Sequence, residues 1–180
     1  MVEQGPKIDT TAQVQIPNQV MEWFEGRSSL LIDPRNYLQG NFSAFYVINH
    51  QSGDRTFAAR QTKTYDTNGD TEELVYLIDV DSDGIEEGHG EIRMNISNDD
   101  PYFKNKPFVG YTETEGGFRR QGLGTRRLLM MNTFTQMLYD LPLHSDTLIA
   151  DDARRLWERL AVEGKAIKYP EGQNERFRFV

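Results

Sequence analysis

At 180 residues, with 37% apolar and 11% aromatic side chains, the chain is about the size of one domain and holds enough apolar surface for one modest core, which excludes disorder along its whole length. Twenty lysines and arginines stand against 28 aspartates and glutamates, a net charge of −8 before histidine. Bulk attraction to nucleic acid or an anionic membrane is therefore not expected, and any anion site has to be local. The absence of cysteine rules out disulfides, thiolate metal sites and a cysteine nucleophile, and makes a reducing compartment, the cytoplasm, the expected location.

Residues 1–16 are polar and unpatterned, without the apolar centre of a signal peptide, and nowhere does the chain approach the roughly 18 apolar residues of a membrane span. The run at 17–26, PNQVMEWFEG, groups Val20, Met21, Trp23 and Phe24 into a short amphipathic helix or turn with Asn18 as its candidate cap. Residues 1–40 thus read as an N-terminal arm with one short helix, set apart from a main domain at 41–180. Such an arm becomes ordered against its own body or a partner, so it is the candidate contact of a homo-oligomer or protein complex. From Ser43 the pattern turns to strands. Ser43 to Asn49, Arg55 to Tyr65, Glu73 to Val80, Gly90 to Ile96 and Phe108 to Thr114 are rich in β-branched and aromatic residues, and Gly, Asn, Asp and Pro clusters separate them. The spacing predicts an antiparallel meander.

Beyond Gly124 the period becomes helical. Leu123, Met130, Phe134, Met137, Leu138 and Leu141 fall mostly three or four apart, predicting a helix to about Asp140 that Pro142 ends. Leu143 to Thr147 predicts a short strand. Ala153, Leu156, Trp157 and Leu160 predict the buried face of a second helix, capped by Asp151 or Asp152 and stopped at Gly164. Ala166 to Tyr169 and Arg176 to Val180 predict two short strands around a turn. The order of strands, helix, strand, helix and strands predicts an α+β domain with helices packed on a mostly antiparallel central sheet.

The segment Phe118-Arg119-Arg120-Gln121-Gly122-Leu123-Gly124-Thr125 sits between a predicted strand and the first long helix. Glycines at 122 and 124 let the backbone turn tightly and let a ligand approach closely. Amides of the loop and first helical turn would point outward without intrahelical partners, where the macrodipole favours negative charge, a setting suited to a pyrophosphate. Arg119, Arg120, Arg126 and Arg127 reverse the local sign of an acidic chain, as an anion site there requires. The plain alternative is a turn with solvated arginines.

Arg119-Arg120-Gln121-Gly122-Leu123-Gly124 resembles the Arg/Gln-x-x-Gly-x-Gly/Ala motif of the GCN5-related N-acetyltransferase (GNAT) superfamily, with the aromatic Phe118 before it. The continuation TRRLLMMN looks like that family's cofactor helix. Residues 152–160 are similar to its second conserved helix, and Gly164-Lys165-Ala166 with Arg176-Phe177-Arg178-Phe179 look like its closing strands. The resemblance covers residues 105–180 and reaches 43–100 only through strand order; the first 40 residues have no counterpart. It implies a GNAT-like acyl-CoA-binding fold and direct acetyl transfer from acetyl-CoA to an amine acceptor, a small molecule or a protein. The implied coenzyme site is Tyr111, Thr112 and Thr114 on the strand entering the loop, with Arg119, Arg120, Gln121, Gly122, Leu123, Gly124 and Thr125. The implied bases are Glu113 and His144. Each also has a plain reading, Glu113 as a solvent-facing residue and His144 as an exposed edge residue. The family often places a tyrosine where this chain has Trp157, and an indole N–H donates hydrogen bonds but does not transfer a proton near neutral pH. Trp157 reads equally as a core aromatic. A catalytically weak or inactive module on the same fold is therefore the alternative; small domains of this kind occur in phage genomes, where the arm would serve a virion or host-interaction role.

Asp79-Val80-Asp81-Ser82-Asp83-Gly84 opens like a calcium loop, yet its twelfth position is Gly90 and its flanks read as strands. A polar turn between strands is the expected structure, with no metal site, and Glu86 and Glu87 read as an extension of a solvated acidic face.

Overall fold

The computed structural model describes residues 8–9, 18, 20, 22, 37–38, 42–65, 69–97, 104–118 and 122–180. Most of the arm at 1–40 lies outside these residues, as do Arg119, Arg120 and Gln121. Two-residue strands β1 (Ile8–Asp9) and β2 (Tyr37–Leu38) pair with β3 (Phe42–Asn49) and β4 (Arg55–Tyr65) respectively. From β3 the chain runs as an antiparallel meander through β4, β5 (Thr71–Val80), β6 (Glu86–Asn95) and β7 (Phe108–Thr114). The fold is α+β, as the pattern predicted.

The central strand β5 is buried continuously from Glu73 to Val80, because both faces of the sheet are covered. Val75 and Leu77 enter one core with Tyr46, Ile48, Ala58, Ile92 and Val109. Leu74, Tyr76, Ile78 and Val80 alternate into the other, with Val47, Phe57, Ala59 and Val20. The first core is closed by α1 (Leu123–Tyr139), whose Leu128, Met131 and Phe134 point inward, Phe134 meeting Tyr46 edge to face with ring centroids 5.5 Å apart. Truncating Phe134 to alanine there would cost about 3–5 kcal/mol. α1 ends before Pro142 is reached: Asp140 adopts a left-handed conformation (φ 55°) and donates its N–H to Gln136 O at 3.0 Å.

The second helix, α2 (Asp151–Val162), buries Trp157 and Leu160 against the same core. Its N-cap is Ala150 in an extended conformation; Asp151 and Asp152, read from sequence as caps, stand in the first turn, where the dipole favours them. Gly164 stops it with φ 72° while Lys165 N–H reaches back to Leu160 O. β8 (Ala166–Glu171) and β9 (Asn174–Phe179) then form a hairpin. The expected strand at 143–147 reduces to one bridge residue. His144 pairs in parallel with Phe108 and antiparallel with Arg178, so it stitches the hairpin to the first residues of β7. Among the described residues no pairing continues between β7 and this segment past Val109 and Ser145, so no described strand lies along that edge of Gly110 to Thr114.

β6 begins at Glu86, four residues earlier than its pattern suggests. Glu87 is not a solvated acid: it is buried and accepts a 2.6 Å bond from Arg126. Burial raises its carboxyl above the usual range against the pull of that arginine. Among the described residues no helix is long and apolar enough to cross a membrane.

Candidate functional site

The Gly110 to Thr114 edge of β7 borders a cleft of about 740 Å³. Thr112, Glu113 and Thr114 form one wall, Gly122 to Thr125 the floor, and Asp152, Arg155, Leu156 and Arg159 of α2 the other wall. Gly122, with φ 81°, turns the chain into α1 without a side-chain cap. The first bond of the helix is Arg126 N–H to Gly122 O at 3.0 Å, so the amides of Leu123, Gly124 and Thr125 have no intrahelical acceptor. No acidic residue stands in this turn. The N-terminal charge of the α1 dipole is therefore left to whatever enters the cleft.

Strand geometry determines what β7 offers. Glu115 N–H donates to Glu87 O at 3.0 Å, and paired residues alternate along an antiparallel ladder. Tyr111 and Glu113 therefore turn their backbone groups toward β6, whereas Thr112 and Thr114 turn theirs to the other edge. Side chains alternate the other way. Thr112 and Thr114 lie on the α1 face, where both accept bonds from Arg127 Nη1, at 3.1 and 3.3 Å. Glu113 lies on the opposite face and is 56% exposed.

Two of the four arginines assigned from sequence to the anion site do other work. Arg127 is fully buried, ion-paired to Asp79 at 2.7 Å, and donates to Glu113 O at 2.5 Å. Arg126 binds Asp54 and Glu87. Both side chains turn to the sheet because carboxylates of distant strands meet them there; the sequence shows their spacing and not those partners. Among the described residues the cations that reach the cleft are Arg155 and Arg159, four residues apart beside the buried stripe of α2. Arg159 bonds Thr125 Oγ1 and lies 4.0 Å from Glu163, while Arg155 lies 3.6 Å from Asp152 and is 77% exposed. Their i, i+4 spacing on a predicted helix was a readable signal.

The two expected bases are not brought together. Glu113 borders the cleft, and Tyr111 backs it from the same sheet face. His144 sits at the other end of β7, buried, with Nδ1 2.6 Å from Tyr169 Oη. Burial, then the nearby Arg176 and Lys106, pull its imidazole down to about 4. Trp157 is a core residue, stacked on Phe177 at 6.0 Å and edge-on to Phe179 at 5.1 Å.

Sequence reasoning missed His89. It is the β6 partner of Glu113 and nearly inaccessible; Nδ1 lies 2.5 Å from Glu86 Oε1, Nε2 lies 3.7 Å from Glu113 Oε2, and the ring meets Tyr111 edge-on at 5.3 Å. Only a strand begun at Glu86 would have placed it there. Glu86, His89 and Glu115 bring ligand atoms within 4.8 Å of one another, but the close Glu86–His89 bond already occupies two of them. The aspartates of the calcium-like run are structural. Asp81 Oδ1 accepts the amides of Asp83 and Ile85 at 3.0 and 2.8 Å, closing the β5–β6 turn, and Asp79 faces Arg127 and Thr56.

No protein-family model matches the chain, and no curated protein matches it.

Proposed function

We propose that the protein is an N-acetyltransferase of GNAT type, which seats acetyl-CoA in the β7–α1–α2 cleft and delivers its acetyl group to an amine. The observation that carries this reading is the convergence, in one cleft, of a strand edge along which no described strand lies, three uncapped helix amides and two arginines of a second helix. An extended amide-bearing arm can pair with the outward backbone groups of Thr112, while a pyrophosphate sits on the amides of Leu123 to Thr125 beside Arg155 and Arg159. Arg119, Arg120 and Gln121, which complete the motif, belong to this proposal on sequence alone. The sheet order supports it too, since the segment holding His144 runs parallel to β7 at its start and leaves it further on.

Glu113 is the base in this reading. It takes a proton from the acceptor ammonium, the amine nitrogen forms its bond to the acetyl carbon, and the carbon–sulfur bond breaks with its electron pair leaving on the thiolate. The nitrogen's second surplus proton passes to solvent or to that thiolate, leaving the neutral amide and coenzyme A. His144, buried against Tyr169, is reassigned to structure. Trp157 favours a second reading, a module that binds the coenzyme without turnover, as a phage virion or host-interaction protein could, because a packed indole offers the leaving thiolate no acid.

Calorimetry with CoA and acetyl-CoA, followed by an acceptor screen over polyamines and peptide amines, separates these. Binding of both ligands with amine turnover above the uncatalysed rate is expected. Binding without turnover selects the second reading, and no heat at millimolar ligand overturns both.

A further inference from the structure

We infer that His89 and Glu113 form a proton-sharing pair, oriented by Glu86, and that His89 is the positioning residue of the base assembly; the inference rests on the acetyl-transfer reading above. The ladder between β6 and β7 sets His89 directly opposite Glu113 on the face turned away from α1. The histidine side chain is only 3% exposed, held between Ile78 of β5, its partner on the other side, and the Tyr111 ring. Its 2.5 Å contact to Glu86 Oε1 places the proton of the neutral ring on Nδ1 and the acceptor lone pair on Nε2. That lone pair faces Glu113 Oε2 at 3.7 Å. Glu113 is 56% exposed and its side chain can rotate to close the gap; such contacts commonly tighten when substrate arrives.

Glu113 is thus held from both sides of the sheet. Its carbonyl accepts from Arg127 on the α1 face, and its carboxylate is addressed by His89 on the other. In the working cycle Glu113 takes the proton of the acceptor ammonium and passes it to Nε2, which restores Glu113 as a carboxylate. The imidazolium then lies between Glu86 and Glu113, with Glu115 also close to the ring, and returns its proton to solvent through Glu113. A histidine serving only to fill space between strands would need neither carboxylate.

Two arms test this, with spermidine as the probe acceptor and the melting temperature of each variant recorded. In the kinetic arm His89→Ala should lower kcat about 10- to 100-fold, with the KM for acetyl-CoA within about twofold of wild type. Free imidazole should restore part of the rate. Glu86→Gln should act in the same direction, and the double variant should be no worse than His89→Ala. His89→Gln, which keeps a hydrogen bond to Glu86 without a titratable ring, should fold normally and stay slow. Wild-type kcat in His89→Ala, or a loss that is additive with Glu86→Gln and blind to imidazole, would overturn the inference. In the second arm the ring-nitrogen shifts of His89, followed by NMR over pH, should change their titration when Glu113→Gln is introduced. An unchanged titration overturns the pair outright. A changed titration in a protein that turns over no amine supports the pair and counts against acetyl transfer instead.

Discussion

Gly88 decides how Arg127 can lie. With φ 154°, its missing side chain leaves a slot on β6, and a Cβ there would overlap both Arg127 Nη2 and Glu113 O. Gly88→Ala therefore evicts the guanidinium from its buried pair with Asp79 and takes away a bond that fixes the Glu113 main chain. We expect a loss of about 3–5 kcal/mol in urea unfolding, the cost of leaving one member of a buried ion pair uncompensated. A loss below about 0.5 kcal/mol would show that Arg127 has another place to go. His144 supplies a pH test at the same scale. Its imidazole is held at about 4 in the folded protein against 6.5 in an unfolded chain, so between those values the unfolded chain binds more protons. Stability contributed by the neutral ring is present above about pH 6.5 and is lost as pH falls to about 4. Thermal unfolding should show a melting temperature that drops through this window and drops less in His144→Gln; equal slopes in the two proteins would contradict the burial argument. Neither residue announced itself in the sequence. Gly88 falls between two predicted strands, and a histidine between Leu143 and Ser145 of a predicted short strand says nothing of Tyr169, which follows 25 positions later.

At the scale of elements the sequence was most legible where one physical rule acts alone. β4 and β7 span the residues their patterns marked, because alternation and flanking breakers decide strands locally. α1 and Gly164 were legible for the same reason. β6 was not: Glu86, Glu87 and Gly88 have poor strand character, and they join the ladder because β5 and β7 supply partners on both sides. The same long-range effect hid the roles of Arg126 and Arg127, whose carboxylate partners lie 39 to 72 positions away. The candidate site was legible in its glycines and its uncapped amides; of its cations the sequence showed only the i, i+4 spacing of Arg155 and Arg159, not that α2 borders the cleft. This yields a contrast between helices. Arg155→Glu and Arg159→Glu on α2 should each weaken CoA binding by about tenfold or more in calorimetry, and the wild-type affinity should fall as salt is raised. Arg126→Ala on α1 should instead lower the melting temperature and leave the affinity of the folded protein within about twofold. Equal effects of the two sets on binding would return Arg126 to the anion site where its spacing had placed it.

For the whole molecule, the sheet order separates the cleft from the start of the chain. The path β1-β3-β4-β5-β6-β7 sets the cleft at one edge and β1 at the other. Ile8 and Asp9 pair with Ile48 and Val47, so this part of the expected arm is a strand that covers the outer edge of β3. Removing residues 1–16 takes that cover away and leaves unpaired backbone groups along β3, an arrangement that recruits another strand. The core beneath is less exposed to the loss. Val47 and Ile48 keep their packing against Phe57 and Leu77 on β4 and β5, and the three strands between β3 and β7 are untouched. The shortened protein should therefore fold, bind CoA with the affinity of the full chain, and self-associate in a concentration-dependent way when followed by analytical ultracentrifugation. Lysine placed at Ile48 faces the core and would unfold the chain, so the control is Asn49→Pro, at the end of β3, where a missing N–H and a fixed backbone should reduce edge pairing without entering either core. A shortened protein that stays monomeric at high concentration would show that β3 needs no cover. One that fails to fold would place residues 1–16 within the structural core, and the separation of arm from domain would have to be redrawn.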